Sequence, residues 1–313
     1  MISEKSLSAT HYLSPDYIKF RVLPYYNLEN SDVLVIKFKD SDKQRAVYKI
    51  SHKNNMYCLK KVYYNTEDLL YVYSAIEWCY QNNINVPRLI PTIYNSRFIS
   101  INNIIYILTP WIEGEKCNFD NSTHVSLSIR TLAKMHASCT HFYPINGSHV
   151  RTAFDDSYIS TQKHFNDLLK SSNNAFRCKD SFSKLFLDNF DTNLKLAKIS
   201  LYMSSKIDPN SLSKSLCHGD FVNKNIIFTD NLVPWIIDFD KCKNDYCAKD
   251  LSYFMRRILK RKSTQWNTTL ALSILNDYTS IKSLLYNATS KSENQYIFAI
   301  DIIDKLNTKF NLI

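Results

Sequence analysis

The stretch SLCHGDFVNKNIIF, residues 215–228, decides how the rest of the chain is read. The 313-residue chain holds three glycines, and one of them, Gly219, stands here between a histidine and an aspartate. Ordinary usage of about 7% would give roughly twenty. Asn, Lys, Ile and Tyr are abundant, as an AT-rich coding sequence would make them. A glycine that survives such a bias is a candidate for a backbone need that no other residue meets.

Residues 218–225 read H-G-D-F-V-N-K-N, which sets Asp220 and Asn225 five apart. Thirteen residues beyond Asn225 comes Asp238, inside I-I-D-F-D at 236–240. Protein kinases carry H-R-D-L-x-x-x-N and then D-F-G, with the same separation of Asp from Asn. Phosphoryl transfer needs a carboxylate beside the attacking hydroxyl, to orient it and take its proton. It also needs oxygen ligands that hold Mg²⁺ against the nucleotide phosphates, and carboxylates and an amide carbonyl suit that hard ion. Asp220 is therefore the candidate base, and Asn225 and Asp238 are candidate metal ligands. The plain alternative is that Asp220 caps a turn while Asp238 and Asp240 end a strand. HGD alone says little; HGDxxxxN followed by an aspartate at the end of an apolar strand is specific.

Working outward, the first third of the chain reads as strands. DVLVIKF (32–38), RAVYKIS (45–51) and MYCLKKV (56–62) are rich in β-branched and aromatic residues and are separated by polar turns. A helix is predicted over 66–82, capped by Asn65 or Thr66, with an apolar stripe of Leu69, Val72, Tyr73, Ile76 and Tyr80. Val86-Pro87 ends that element, and strands RFISI (97–101) and IIYIL (104–108) follow. Beyond TPWIEGEK (109–116) the texture turns helical, at 126–139, 160–172 and 180–206. Two short strands, 225–228 and 234–240, and further helices complete the chain. The expectation is an α+β, protein-kinase-like fold of two lobes. A small β-rich nucleotide-binding lobe spans 1–108, a hinge 109–114, and a larger helical lobe with the catalytic loop and substrate side 115–313.

A kinase also needs a lysine for the α/β-phosphates and a glutamate on the next helix. MYCLKKV offers Lys60 and Lys61, and strand alternation points only one of them into the cleft. Glu77 lies in the following helix beside its apolar stripe. Glu67 is the rival, although its place in the first turn suits the helix dipole. Lys60 with Glu77 is the favoured pair; in the plain reading either lysine is a solvated strand residue.

Composition adds bounds. Lys plus Arg exceed Asp plus Glu by 39 − 29 = 10, a balance that suits acidic partners but is also what lysine-rich solvation produces. The eight cysteines form no CxxC pair, which argues against a zinc site and for a reducing compartment. The start shows no apolar signal segment, and no run approaches the ~18 residues of a membrane helix. A soluble protein made in the cytoplasm, without membrane insertion, is expected. The basic stretch Arg256, Arg257, Lys260, Arg261, Lys262 lacks aromatic interleaving or a nucleic-acid motif, so it reads as a solvated face or an edge that attracts an anionic substrate.

With these residues in view, the chain resembles the aminoglycoside-phosphotransferase and choline-kinase type of small-molecule kinase. More narrowly it resembles the CotS-type spore coat kinases, with similarity from about 17 to 280. YCLKKV (57–62), SAIEWCYQNNINVPRLIPT (74–92), YILTPWIEGEKCNF (106–119), LAKMHASCTHF (132–142), CHGDFVNKNIIF (217–228) and IIDFDKCKNDYCAKDLSYFMRRILKR (236–261) carry it. The resemblance implies ATP and Mg²⁺ as cofactors, with Asp220 as base. It implies Asn225 and Asp238 as magnesium ligands and Lys60, held by Glu77, on the phosphates. Backbone groups near Pro110, Trp111 and Ile112 would read adenine. Asp240 would be a second-metal or orienting acid, His136 a hydrogen-bonded structural residue, and Asp250 a tie between the catalytic loop and the helical lobe. The acceptor would be a small molecule, a sugar or a coat component. Synthesis in the mother cell and other spore coat proteins as partners also follow from the resemblance.

Three departures stand out. The turn KDSDKQ between the first two strands has no glycine-rich loop. Lys224 occupies a place where relatives carry a small residue or histidine, and could touch a phosphate or a substrate anion. The tail after about 280 lacks the aromatic-rich final helices expected of the coat kinases. The alternative function is a coat structural protein that keeps a nucleotide-binding fold with little or no turnover.

Overall fold

The computed structural model describes residues 12–39 and 45–286, so most of the first turn and the tail from 287 lie outside the described residues. Five antiparallel strands form one sheet: β1 (Asp32–Lys39), β2 (Arg45–His52), β3 (Asn55–Lys61), β4 (Ile99–Ile101) and β5 (Ile104–Pro110), in the order β1-β2-β3-β5-β4. Alternation divides its faces. Ala46, Tyr48, Ile50, Leu59, Tyr106 and Leu108 are buried against Ile18, Val22 and Leu23, from helical turns spanning 15–26 that sequence patterning did not reveal. The phenols of Tyr48 and Tyr106 donate to the carbonyls of Leu13 and Tyr12 at 2.7 and 2.9 Å, which fastens those turns to the sheet. The opposite parity puts Val47, Lys60 and Ile107 side by side in register.

Helix α1 (Thr66–Gln81) begins at Asn65, whose side chain accepts the Asp68 amide at 2.9 Å. Its apolar face (Leu69, Val72, Ala75, Ile76, Cys79) packs into the larger of two hydrophobic clusters. That cluster also takes Ile129, Leu132 and Met135 of α2 (Ser122–Ser138), Leu251, Phe254 and Ile258 of α6 (Cys247–Leu259), and Ile274, Leu275 and Tyr278 of α7 (Thr268–Tyr286). Between α2 and α6 lie α3 (Ser157–Cys178), α4 (Ser181–Asp188) and α5 (Phe190–Ser204). The single helix expected over 180–206 breaks at Asn189, whose amide nitrogen donates to the Leu185 carbonyl.

Short strands frame the motif region. β7 (Lys214–Cys217) pairs with β10 (Lys243–Tyr246), and β6 (Glu115–Lys116), β8 (Ile226–Phe228) and β9 (Pro234–Ile236) form a three-stranded sheet. The strand expected to run to 240 stops at Ile236, and Phe239–Lys241 forms a one-turn 3₁₀ helix. Gly114 has φ +149°, and a Cβ there would lie 2.1 Å from the Phe228 carbonyl oxygen, so glycine lets the chain cross β8.

At the centre of the larger core, His136 of α2 meets the Tyr278 hydroxyl at 2.7 Å through Nδ1 and Asp250 of α6 at 3.4 Å through Nε2. Burial disfavours a charge on His136, but Cys247 and the Asp250 carboxylate beside it push its pKa up to about 9. Burial also opposes the Asp250 charge, yet His136 and His218 hold its pKa below the ordinary carboxylate value. The Asp250 contribution is complete above the usual carboxylate range and is lost on acidification. The His136 contribution is complete below its ordinary pKa of about 6.5 and is lost as pH rises through about 9. Thermal unfolding against pH should therefore show Tm falling across that alkaline interval, and a level alkaline arm would contradict it. Asp250→Asn should lower stability at neutral pH by about 3 kcal/mol and make the alkaline fall shallower.

Candidate active site

The site is built on two loops joined by one buried carboxylate. The Asp250 oxygens accept the backbone amides of His218 at 2.6 Å and Gly219 at 2.9 Å. Gly219 has φ +73°, and a Cβ on it would meet the Lys241 carbonyl oxygen at 2.4 Å. The glycine thus serves two needs, a left-handed turn and the contact between the two loops. The His218 ring is completely buried. Its Nε2 donates to the Ile237 carbonyl at 3.0 Å, and its Nδ1 accepts the Asp220 amide at 3.2 Å. Both ring nitrogens are used, which fixes the tautomer and clamps the 218–225 loop to the segment leading into Asp238.

Asp220, Asn225, Asp238, Asp240 and Lys60 come together around this clamp. The Asn225 amide nitrogen donates to the Asp220 carbonyl at 2.9 Å, so its oxygen is the atom left for a cation. Asp238 stands at φ +67°, a rare conformation for a residue with a Cβ, and turns its carboxylate toward Lys60. The Lys60 ammonium reaches Asp238 at 2.5 Å and Asp240 at 2.7 Å. Burial alone would depress the Lys60 pKa, but the two carboxylates raise it well above the usual lysine value. In return, Lys60 holds the Asp238 pKa below normal against the opposing effect of burial.

Lys60 is thus held by the aspartates of the D-x-D segment and not by Glu77, which corrects the expected pair. Glu77 is gripped by the guanidinium of Arg88, at 3.0 and 2.6 Å. Arg88 lies only eleven residues on, in the extended segment after α1, and its planar fork matches a carboxylate where an ammonium would not. Glu67, the rival, keeps to the first turn of α1.

Arg151, which no motif marked, does the joining instead. Its Nε donates to Asp68 at the start of α1 at 2.9 Å, and its Nη1 donates to the Asp240 carbonyl at 2.7 Å. The guanidinium also lies 5.0 Å over the Tyr64 ring, and the Tyr64 hydroxyl donates to Asp240 Oδ1 at 3.2 Å. Nothing local in HVRTAF announces this role, because it depends on segments 83 and 89 residues away.

The donor set fits a hard divalent cation. Asp238, Asp240 and the Asn225 oxygen are all oxygen ligands, and Asp240 Oδ2 is buried with no hydrogen-bond partner. A second group, His136, Cys217 and Asp250, has its ligand atoms within 4.8 Å of one another. There, however, the Asp250 oxygens and both His136 nitrogens already serve protein hydrogen bonds. In the connector, the Trp111 amide donates to the Met56 carbonyl at 3.0 Å, and Lys49 lies 5.0 Å over the Trp111 ring. Ile112 follows, half-buried. All eight cysteines are free. Within the basic stretch, Arg261 pairs with Asp120 and Arg257 donates to the Tyr253 hydroxyl. Among the described residues no helix is long and apolar enough to cross a membrane.

Comparison with known proteins gives a family for the chain and relatives for its fold. Residues 35–284 match the phosphotransferase enzyme family. A homoserine kinase of Bradyrhizobium diazoefficiens is 29% identical over 83 residues, covering 26% of this chain and 25% of that kinase, so the match spans about a quarter of its length. An aminoglycoside phosphotransferase from Alicyclobacillus acidocaldarius superposes with a TM-score of 0.68 at 20% identity, over 90% of this chain and 80% of that one. A spectinomycin phosphotransferase in complex with ADP and spectinomycin gives a TM-score of 0.55 at 14% identity, over 91% and 92%. At these identities the structures speak for the fold, which is α+β and protein-kinase-like. The family match covers most of the chain and both motif loops, and on that ground the chain belongs to the phosphotransferase enzyme family.

Proposed function

We propose that this protein transfers the γ-phosphoryl group of ATP to a hydroxyl of a small-molecule or sugar acceptor. The observation that carries the reading is the convergence of Asp220, Asn225, Asp238, Asp240 and Lys60 on one site, clamped by His218 and Asp250. Asp220 orients the acceptor hydroxyl and takes its proton. Lys60, on the cleft face of the sheet, binds phosphate oxygens. Asn225, Asp238 and Asp240 are the residues that would hold magnesium. When bound, the ion neutralises charge on the phosphate oxygens. Arg151 and Tyr64 position Asp240 from behind. The connector at 109–114 acts as the hinge between a β-rich and a helical lobe. Because the Trp111 amide is already given to Met56, the Ile112 amide is the donor that would read the nucleotide base.

The finer assignment is to the CotS-type spore coat kinases, on the motifs spread over 17–280. On that assignment the enzyme is made in the mother cell, and its acceptor or its neighbours belong to the coat.

Asp220→Ala should lower turnover by about 10²–10⁴-fold while leaving Mg-ADP binding nearly unchanged in calorimetry. Unchanged turnover would remove Asp220 from the chemistry. Nucleotide with magnesium should raise the Tm of the wild type, and Asp238→Ala should abolish that rise. A wild type that no nucleotide stabilises would overturn the reading. Arg151→Lys, which keeps the charge but loses the fork, should lower kcat about tenfold with KM for ATP little changed. A rise in KM for ATP with kcat unchanged would make Arg151 a binding residue instead.

A further inference from the structure

Asp220 has two cationic neighbours that the phosphotransfer scheme does not use. The ammonium of Lys224 lies 3.7 Å from Asp220 Oδ2, and that of Lys241 lies 3.5 Å from the same oxygen. Neither pairs with another carboxylate among the described residues. Lys224 also acts on Asp238 from farther away, and both ammonium groups close on one Asp220 oxygen at the place where the acceptor hydroxyl must sit.

The lysines are not on loose surface loops. Lys224 belongs to the one-turn 3₁₀ helix Asn223–Asn225, and Lys241 ends the matching turn Phe239–Lys241. The first turn is tied down by the Asn225 amide on the Val222 carbonyl, and by the Asn225 carbonyl accepting the Ile237 amide, both at 2.9 Å. The second is fixed by packing of the Lys241 carbonyl on Gly219. The contacts that place Asp220, Asn225 and Asp238 thus also place both lysine backbones. The side chains differ from Lys60 in exposure: 55% for Lys224 and 51% for Lys241, against 16% for Lys60. Lys60 lies on the enclosed side of the site, and this pair lies on the open side.

We propose that Lys224 and Lys241 bracket a carboxylate carried by the acceptor itself, so that the substrate is a hydroxy acid. This rests on Asp220 being the base of the proposed reaction. A carboxylate near the reacting hydroxyl supplies oxygens that accept from the two ammonium groups. An acceptor with an amine at that position meets two like charges and is rejected. The pair then acts as a specificity filter on one side of Asp220, while Lys60 and the D-x-D carboxylates serve the nucleotide on the other.

The test uses the full chain loaded with saturating Mg-ADP. Tm is followed with D-glycerate, D-gluconate, inorganic phosphate, glycerol or glucosamine, all at matched ionic strength in NaCl. Glycerate or gluconate should raise Tm by about 2–4 °C above the salt control, and glycerol and glucosamine should not. The Lys224→Gln/Lys241→Gln double variant should lose that rise while keeping the full stabilisation by Mg-ADP. The proposal is overturned if the hydroxy acids add nothing, if glucosamine stabilises equally, or if the double variant responds like wild type. It is also overturned if only inorganic phosphate stabilises, since the lysines would then serve the terminal phosphate of the nucleotide. Absence of any stabilisation by Mg-ADP in the wild type would instead strike the nucleotide reading, separately from the choice of acceptor.

Discussion

One buried carboxylate organises the site. Asp250 accepts two successive backbone amides, those of His218 and Gly219, from inside the helical core. Such charge-assisted bonds are each worth about 1.5–3 kcal/mol, and here they act on the backbone. They set the direction in which the chain leaves β7, and with it the position of Asp220. His218 carries the constraint across to Ile237, one residue before Asp238. Gly219 completes it by admitting the Lys241 carbonyl where a side chain would stand. A residue of the helical core therefore fixes the relative placement of the two motif loops.

Electrostatics in the site divides by exposure, with Lys224 acting on carboxylates on both sides. Lys60 with Asp238 and Asp240 forms an enclosed network in which each partner stabilises the charge of the other against burial. Lys224 and Lys241 on Asp220 form an open one. Solvent screens the second group more than the first, which suits a place where a ligand must exchange. The enclosed group also includes a buried carboxylate oxygen without a partner, Asp240 Oδ2, where an oxygen-seeking cation gains most.

The helix α1 is coupled to this network from an unexpected end. Glu77, near its C-terminus, is bound to Arg88, while Asp68, in its first turn, is linked through Arg151 to the Asp240 carbonyl. A guanidinium can bridge two acceptors in one plane and still lie over aromatic faces, as Arg151 does with Tyr64 and Tyr71. The tether from the helix to the D-x-D segment is therefore an arginine outside both elements.

By itself the sequence determined the strands of the five-stranded sheet, the helix after β3 and the residue types of the two motif loops. Strand alternation and turn residues are local, so β2, β3 and β5 could be read within a residue or two of their ends, and Asn65 could be named as a cap. The spacing of Asp220, Asn225 and Asp238 is equally local, because each lies within one loop–strand–loop unit. Only the tertiary structure decided partners. Lys60 meets an aspartate 178 residues away, Arg151 meets a carbonyl 89 residues away, and Glu77 turns to an arginine outside the helix pattern. Two lysines from different loops converge on one oxygen. Side-chain pairing across such separations follows from how the sheet and helices pack, and no period or spacing in the chain encodes it.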